Sequence, residues 1–164
     1  MFHQSNNDLK QQIPKLQEPS ASFPYSPSSS THKAPIVAAT TIMLVDDEPD
    51  ILFTYKTILH NAGYNVDAFT DPIEALMSFA NADPNTYNLV LMDIMMPNLN
   101  GLQLYYRLKT KNPNIKILFV SALDAAQEMA SILPGIGLDD VIIRKPVDNN
   151  QFLSKVKIAL ENYA

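Results

Sequence analysis

From Thr41 onward, short apolar runs alternate with amphipathic stretches five times over, and this alternation constrains the fold more than any other feature of the chain. Apolar runs of about four to six residues suit strands buried on both faces, and stretches with helical spacing suit the covers of those faces. The pattern is that of a parallel sheet between two helical layers. The predicted strands are Ile42 to Val45, Tyr64 to Phe69, Leu89 to Met92, Ile115 to Val120 and Val141 to Ile143. After the first of them Ile51, Leu52, Tyr55, Ile58 and Leu59 recur at helical spacing, and Gly63 stands where a left-handed cap closes a helix. Asp71, Pro72 and Glu74 supply an N-cap, an N1 proline and an N3 acid for the second helix. Further helices are predicted over Leu102 to Lys111, Asp124 to Leu133 and Asn149 to Asn162.

The first forty of the 164 residues are different in kind. They hold seven serines, five prolines and no glycine, and such a segment cannot offset its ordering entropy by burial. We expect residues 1–40 to form a disordered Ser/Pro-rich tail, in which Ile13, Leu16, Phe23 and Tyr25 are the only candidate anchors, and residues 41–164 to form one domain. The domain carries fifteen acidic residues against nine basic ones, which disfavours sequence-independent binding to nucleic acid phosphates. With no cysteine there is no disulfide, thiolate metal site or thiol nucleophile. No run reaches the roughly eighteen apolar residues of a membrane span and no secretory signal opens the chain, so a cytoplasmic location without a membrane partner is expected.

In an open parallel sheet the ligand site lies beyond the carboxyl ends of the strands, so the residues after each apolar run are the informative ones. In order these are Asp46-Asp47-Glu48, Asp93, Ser121-Ala122 and Arg144-Lys145-Pro146. Several carboxylates in one cleft repel each other and lose hydration unless a cation joins them. Oxygen ligands without histidine or cysteine suit a hard ion, and a site with two or three carboxylates leaves water positions free, as Mg2+ prefers; Mn2+ could substitute.

Together, and in this order, these motifs resemble a response-regulator receiver domain of two-component signal transduction, of the stand-alone, CheY-like kind. The resemblance rests on Asp46-Asp47, on Asp93-Ile94-Met95-Met96-Pro97 running to Gly101, on Ser121-Ala122 and on Lys145-Pro146, and it covers Thr41 to the end. It implies a five-stranded parallel sheet in a flavodoxin-like (βα)5 three-layer sandwich. It also implies that Asp93 is the phosphoacceptor, attacking a phosphohistidine on a histidine kinase or histidine phosphotransfer protein to become an aspartyl phosphate. Asp47, Asp93 and the Met95 backbone carbonyl would bind the metal directly and Asp46 mainly through a water, while Lys145 and Ser121 would stabilise the phosphoryl group. Pro146 is the cis-peptide candidate.

Such a domain is not an enzyme acting on other molecules but a switch that catalyses only its own phosphorylation and dephosphorylation. Its output would be a conformational change of the fourth strand, fourth helix, fifth strand and fifth helix, read by an unknown downstream protein, with the chain a monomer or weak homodimer. Relatives often have an aromatic residue three positions before the lysine; here that switch position is Ile142, which implies an aliphatic repacking. Met95 and Leu123 would flank the path of hydrolytic water, and their apolar character implies slow loss of phosphate. Two alternatives belong to other classes. One is an interaction module working without phosphorylation, supported by the altered switch position. The other is a magnesium-dependent phosphohydrolase, whose nucleophile would follow the first strand with a second aspartate two residues on, where this chain has Glu48.

Overall fold

A computed structural model describes residues 40–122 and 141–161. The predicted tail through residue 39, Leu123 and the helix predicted over Asp124 to Leu133 lie outside the described residues. The elements are β1 (Thr41–Val45), α1 (Pro49–Asn61), β2 (Asn65–Phe69), α2 (Pro72–Asn81), β3 (Leu89–Met92), α3 (Gly101–Lys111), β4 (Lys116–Ala122), β5 (Ile142–Lys145) and α4 (Asn149–Glu161). The five strands form one parallel sheet in the order β2-β1-β3-β4-β5. The strands are added outward in one direction from β1 to β2 and in the other from β3 to β5, which makes the crevice beyond the carboxyl ends of β1 and β3 the place for a ligand.

Burial follows from that order. Apart from Thr41, β1 is buried throughout, as is all of β3, whereas edge strand β2 alternates exposed and half-buried positions. Alternation divides the core into two apolar layers. Met43, Val45, Val90, Met92, Ile117, Phe119 and Ile142 pack with Ala75 and Phe79 of α2 and Leu104 and Leu108 of α3. Ile42, Leu44, Leu91, Leu118, Val120 and Ile143 pack with Leu52 and Leu59 of α1 and Phe152, Val156 and Ala159 of α4.

The helix ends are stopped by local chemistry. Gly63, at φ 91°, lets its own N–H reach the His60 carbonyl and the Tyr64 N–H reach the Leu59 carbonyl, closing α1. Asp71 accepts the Ile73 N–H at 2.8 Å with Pro72 in the first turn of α2, as its sequence implies. Of the adjacent tyrosines on α3, Tyr105 packs on the core beside Phe119 and Tyr106 is half exposed. No helix among the described residues is long and apolar enough to cross a membrane.

Two strands extend past their apolar runs. Pairing of Ser121 with Arg144 and of Ala122 with Lys145 carries β4 and β5 beyond Val120 and Ile143, because the ladder between neighbouring strands needs backbone rather than apolar side chains. Ser121 and Lys145 are therefore strand residues, one and two positions beyond the apolar runs.

Candidate functional site

The backbone ladder continues one step past the strands and fixes the acidic residues. The Asp46 N–H donates to the Phe69 carbonyl at 3.1 Å and the Asp93 N–H to the Val45 carbonyl at 2.9 Å. Alternation then sorts the side chains. Asp46, Asp93 and Lys145 each stand two residues beyond Leu44, Leu91 and Ile143, members of the layer under α1 and α4, while Ser121 stands two beyond Phe119 of the opposite layer. The crevice is thus furnished from both sides of the sheet.

Carboxylate oxygens of Asp46, Asp47 and Asp93 all lie within 4.8 Å of one another, with Asp46 and Asp93 buried and Asp47 half-buried. Lys145 Nζ donates to Asp46 Oδ2 at 2.9 Å and to Asp93 Oδ2 at 3.2 Å. The other oxygen of Asp93, Oδ1, accepts from Ser121 Oγ at 2.8 Å, from the Ile94 N–H at 2.6 Å and from the Met95 N–H at 3.3 Å. Asp46 Oδ1 accepts the Glu48 N–H at 3.0 Å. The Lys145–Pro146 peptide bond is cis.

Among the described residues one ammonium pairs with two of the three clustered carboxylates, so the cluster keeps an excess of negative charge. Burial raises the Asp46 carboxyl above its ordinary value, outweighing the Glu48 N–H and Lys145, which lower it, and Asp93 adds repulsion. Burial alone would lower Lys145, but the hydrogen bond and charge of Asp46, followed by Asp93, raise it on balance. The two shifts have different leading causes: desolvation penalises the charge on Asp46, and the neighbouring acids hold the proton on Lys145. A hard divalent cation among these oxygens would offset the excess negative charge, so the residues present fit such an ion.

The turn after Asp93 is built around close backbone approach. Gly101 opens α3 with its N–H on the Ile94 carbonyl at 2.9 Å, and a Cβ there would overlap the Asp93 carbonyl oxygen. Asn98 adopts φ 64°, a left-handed conformation that asparagine tolerates. Asn100 and Gln103 form a reciprocal capping box, a helix start that the N-x-x-Q spacing carries in addition to the apolar periodicity. Met96 is buried beneath this turn, whereas the Met95 side chain is 63% exposed beside the site. Ile142 is 5% exposed, in the same apolar layer as Phe119. Tyr55 of α1, read in the sequence only as a helical apolar position, stands on the same side of the sheet as Lys145.

Comparison with known proteins agrees with this geometry. The response regulator receiver domain family matches residues 42–157. Among curated proteins the chain is 30% identical over 121 residues to response regulator ArlR of Staphylococcus saprophyticus, covering 74% of this chain and 52% of that one. It is 31% identical over 119 residues to response regulator MprA of a Mycobacterium species, covering 73% and 50%. The chain thus spans about half the length of these relatives. A CheY-like receiver domain protein of Methanospirillum hungatei has a crystal structure that matches with a TM-score of 0.65 at 29% identity, covering 77% of this chain and 97% of the other. With the parallel order β2-β1-β3-β4-β5 and acidic residues at the ends of β1 and β3, the chain belongs to the response regulator receiver domains of two-component systems.

Proposed function

We propose that Asp93 accepts a phosphoryl group from a phosphohistidine donor in a reaction that depends on a divalent cation, and that the altered surface around β4 and β5 is read by another protein. The observation that carries this reading is the double contact of Lys145 Nζ with Asp46 and Asp93, which places a cation on the acid with the most donors around it. The Ser121, Ile94 and Met95 donors hold Asp93 Oδ1 and fix the plane of the carboxylate, while among the described residues Oδ2 is held by Lys145. In the transfer an Asp93 oxygen forms a bond to phosphorus as the phosphorus–nitrogen bond of the donor breaks, and the donor imidazole nitrogen keeps the electron pair and takes up a proton.

Asp46, Asp47, Asp93 and the Met95 carbonyl would hold Mg2+, or Mn2+ in its place. When bound, the ion supplies charge neutralisation at the phosphoryl oxygens. Lys145 supplies a second positive charge there, and Ser121 Oγ, already turned toward Asp93, is within reach of a group attached to it. Drawing Ser121 toward the phosphoryl group would pull on β4 next to Phe119 and Ile142. Because Ile142 is already buried, the response there is an aliphatic repacking rather than the swing of an exposed ring.

Transfer from a purified, phosphorylated histidine phosphotransfer protein tests the reading. We expect a label that maps to the peptide containing Asp93, is lost on treatment with hydroxylamine, and fails to form in chelator; a stable label on a serine, or none from any donor, would contradict it.

A further inference from the structure

Lys145 reaches across the sheet. Its backbone is on β5, and β5 is two strands from β3 and three from β1, roughly 10 and 15 Å at ordinary strand spacing, yet its Nζ touches the acids at the ends of both. A lysine stem held extended over such a span needs a wall, because a flexible four-carbon chain has many other rotamers open to it. On the side of the sheet where Asp46, Asp93 and Lys145 stand, the layer below is made by α1 and α4. There Tyr55 of α1 stacks on Phe152 of α4, with ring centroids 4.5 Å apart and planes inclined by 18°. Phe152 is fully buried and Tyr55 half-buried, so the pair makes a ledge in the layer that also holds Ile143 and Val147, the residues two before and two after Lys145.

We propose that Tyr55, braced by Phe152, is a positioning residue for Lys145: its flat ring confines the lysine stem so that the ammonium stays on Asp46 and Asp93. Burial raises the Tyr55 phenol above its ordinary value, Lys145 lowers it, and Asp46 and Asp93 raise it further, in keeping with a ring placed on the same side of the sheet as these groups. Tyr55 needs no proton transfer for this task. The inference rests on the reading of Lys145 and Asp93 given above, and it adds a residue that neither the acidic motifs nor the Lys-Pro motif contains.

Two measurements on the full chain test it. In the first, acetyl phosphate labelling rates with Mg2+ are compared for the wild type, Tyr55→Phe, Tyr55→Met and the same changes in a Lys145→Gln background. Tyr55→Phe keeps the ring and is expected to label within twofold of the wild type. Tyr55→Met keeps apolar volume without a flat face and is expected to label about tenfold more slowly, with no further slowing in the Lys145→Gln background. A wild-type rate for Tyr55→Met, or an effect that multiplies with that of Lys145→Gln, would overturn the proposal.

The second measurement does not depend on phosphorylation. The Lys145 side-chain ammonium is observed by 1H–15N NMR, where a held ion pair protects it from solvent exchange. Protection retained in Tyr55→Phe and lost in Tyr55→Met, with the remaining amide spectrum intact, supports the ledge; equal protection in both overturns it. If the wild type itself takes no label, the reading of Asp93 fails while this second result still decides the role of Tyr55.

Discussion

Among the described residues Lys145 is the cation that touches two of the three clustered acids, and removing it exposes what the crevice costs the fold. Lys145→Ala leaves buried carboxylates without their counter-charge, and in chelator it should destabilise the domain by ~2–4 kcal/mol by urea unfolding. It should also slow phosphoryl transfer by about a hundredfold, the scale of one lost charge-stabilising contact. Asp46 gives a pH test with a definite sign. Its folded-state pKa is raised by burial, so the native state holds that proton more tightly than the unfolded chain does. Its contribution is therefore fullest below the ordinary value of 3.8 and is lost as pH rises through the raised value. In chelator, the wild-type unfolding midpoint should fall relative to that of Asp46→Asn over this window; parallel profiles would show that Asp46 is not the strained group. Lys145, raised by its acidic partners, keeps its stabilising charge until pH passes above the usual lysine range. Met95, exposed beside Asp93, gives a kinetic test: Met95→Asn should speed phosphate loss several-fold by placing a polar group along the path of water.

Elements hold these residues in place, and their ends were legible to different degrees. Gly63, Asp71 and Pro72 could be read from sequence because capping chemistry is local: a helix end needs particular donors, acceptors and φ values within a few residues. Gly63→Ala should cost ~1 kcal/mol, since φ 91° disfavours a side chain while nothing lies within 4 Å of the added Cβ. Gly101→Ala should cost more, ~2–4 kcal/mol, because that Cβ meets the Asp93 carbonyl and must push α3 off the acidic turn; thermal unfolding of the two variants side by side checks the order. The carboxyl ends of β4 and β5 were less legible. Apolar runs stop at Val120 and Ile143, but the strands go on through Ser121 and Lys145 because pairing between backbones is blind to side-chain polarity. Tyr55 was hidden for a related reason, since helical spacing marks a position as facing inward without saying what lies at the end of the strands it faces.

Across the whole molecule, the sheet order brings together residues up to 99 positions apart in sequence, as Asp46 and Lys145 are. Periodicity alone showed five strands and helices on both sides; bringing Asp46, Asp93, Ser121 and Lys145 into one crevice needs the order β2-β1-β3-β4-β5, which no local pattern encodes. The resulting concentration of negative charge gives a direct test of cation binding. At a hundredfold excess over its dissociation constant, Mg2+ should stabilise the domain by ~2.7 kcal/mol, and Asp47→Asn should lose most of that gain in thermal unfolding. The central claim is tested most directly by intact-mass measurement after incubation with acetyl phosphate and Mg2+, beside Asp93→Asn and a chelated control. We expect the wild type to gain the mass of one phosphoryl group and both controls to gain none; a wild type unchanged where another receiver domain is labelled, or an Asp93→Asn variant labelled as fully, would contradict the account.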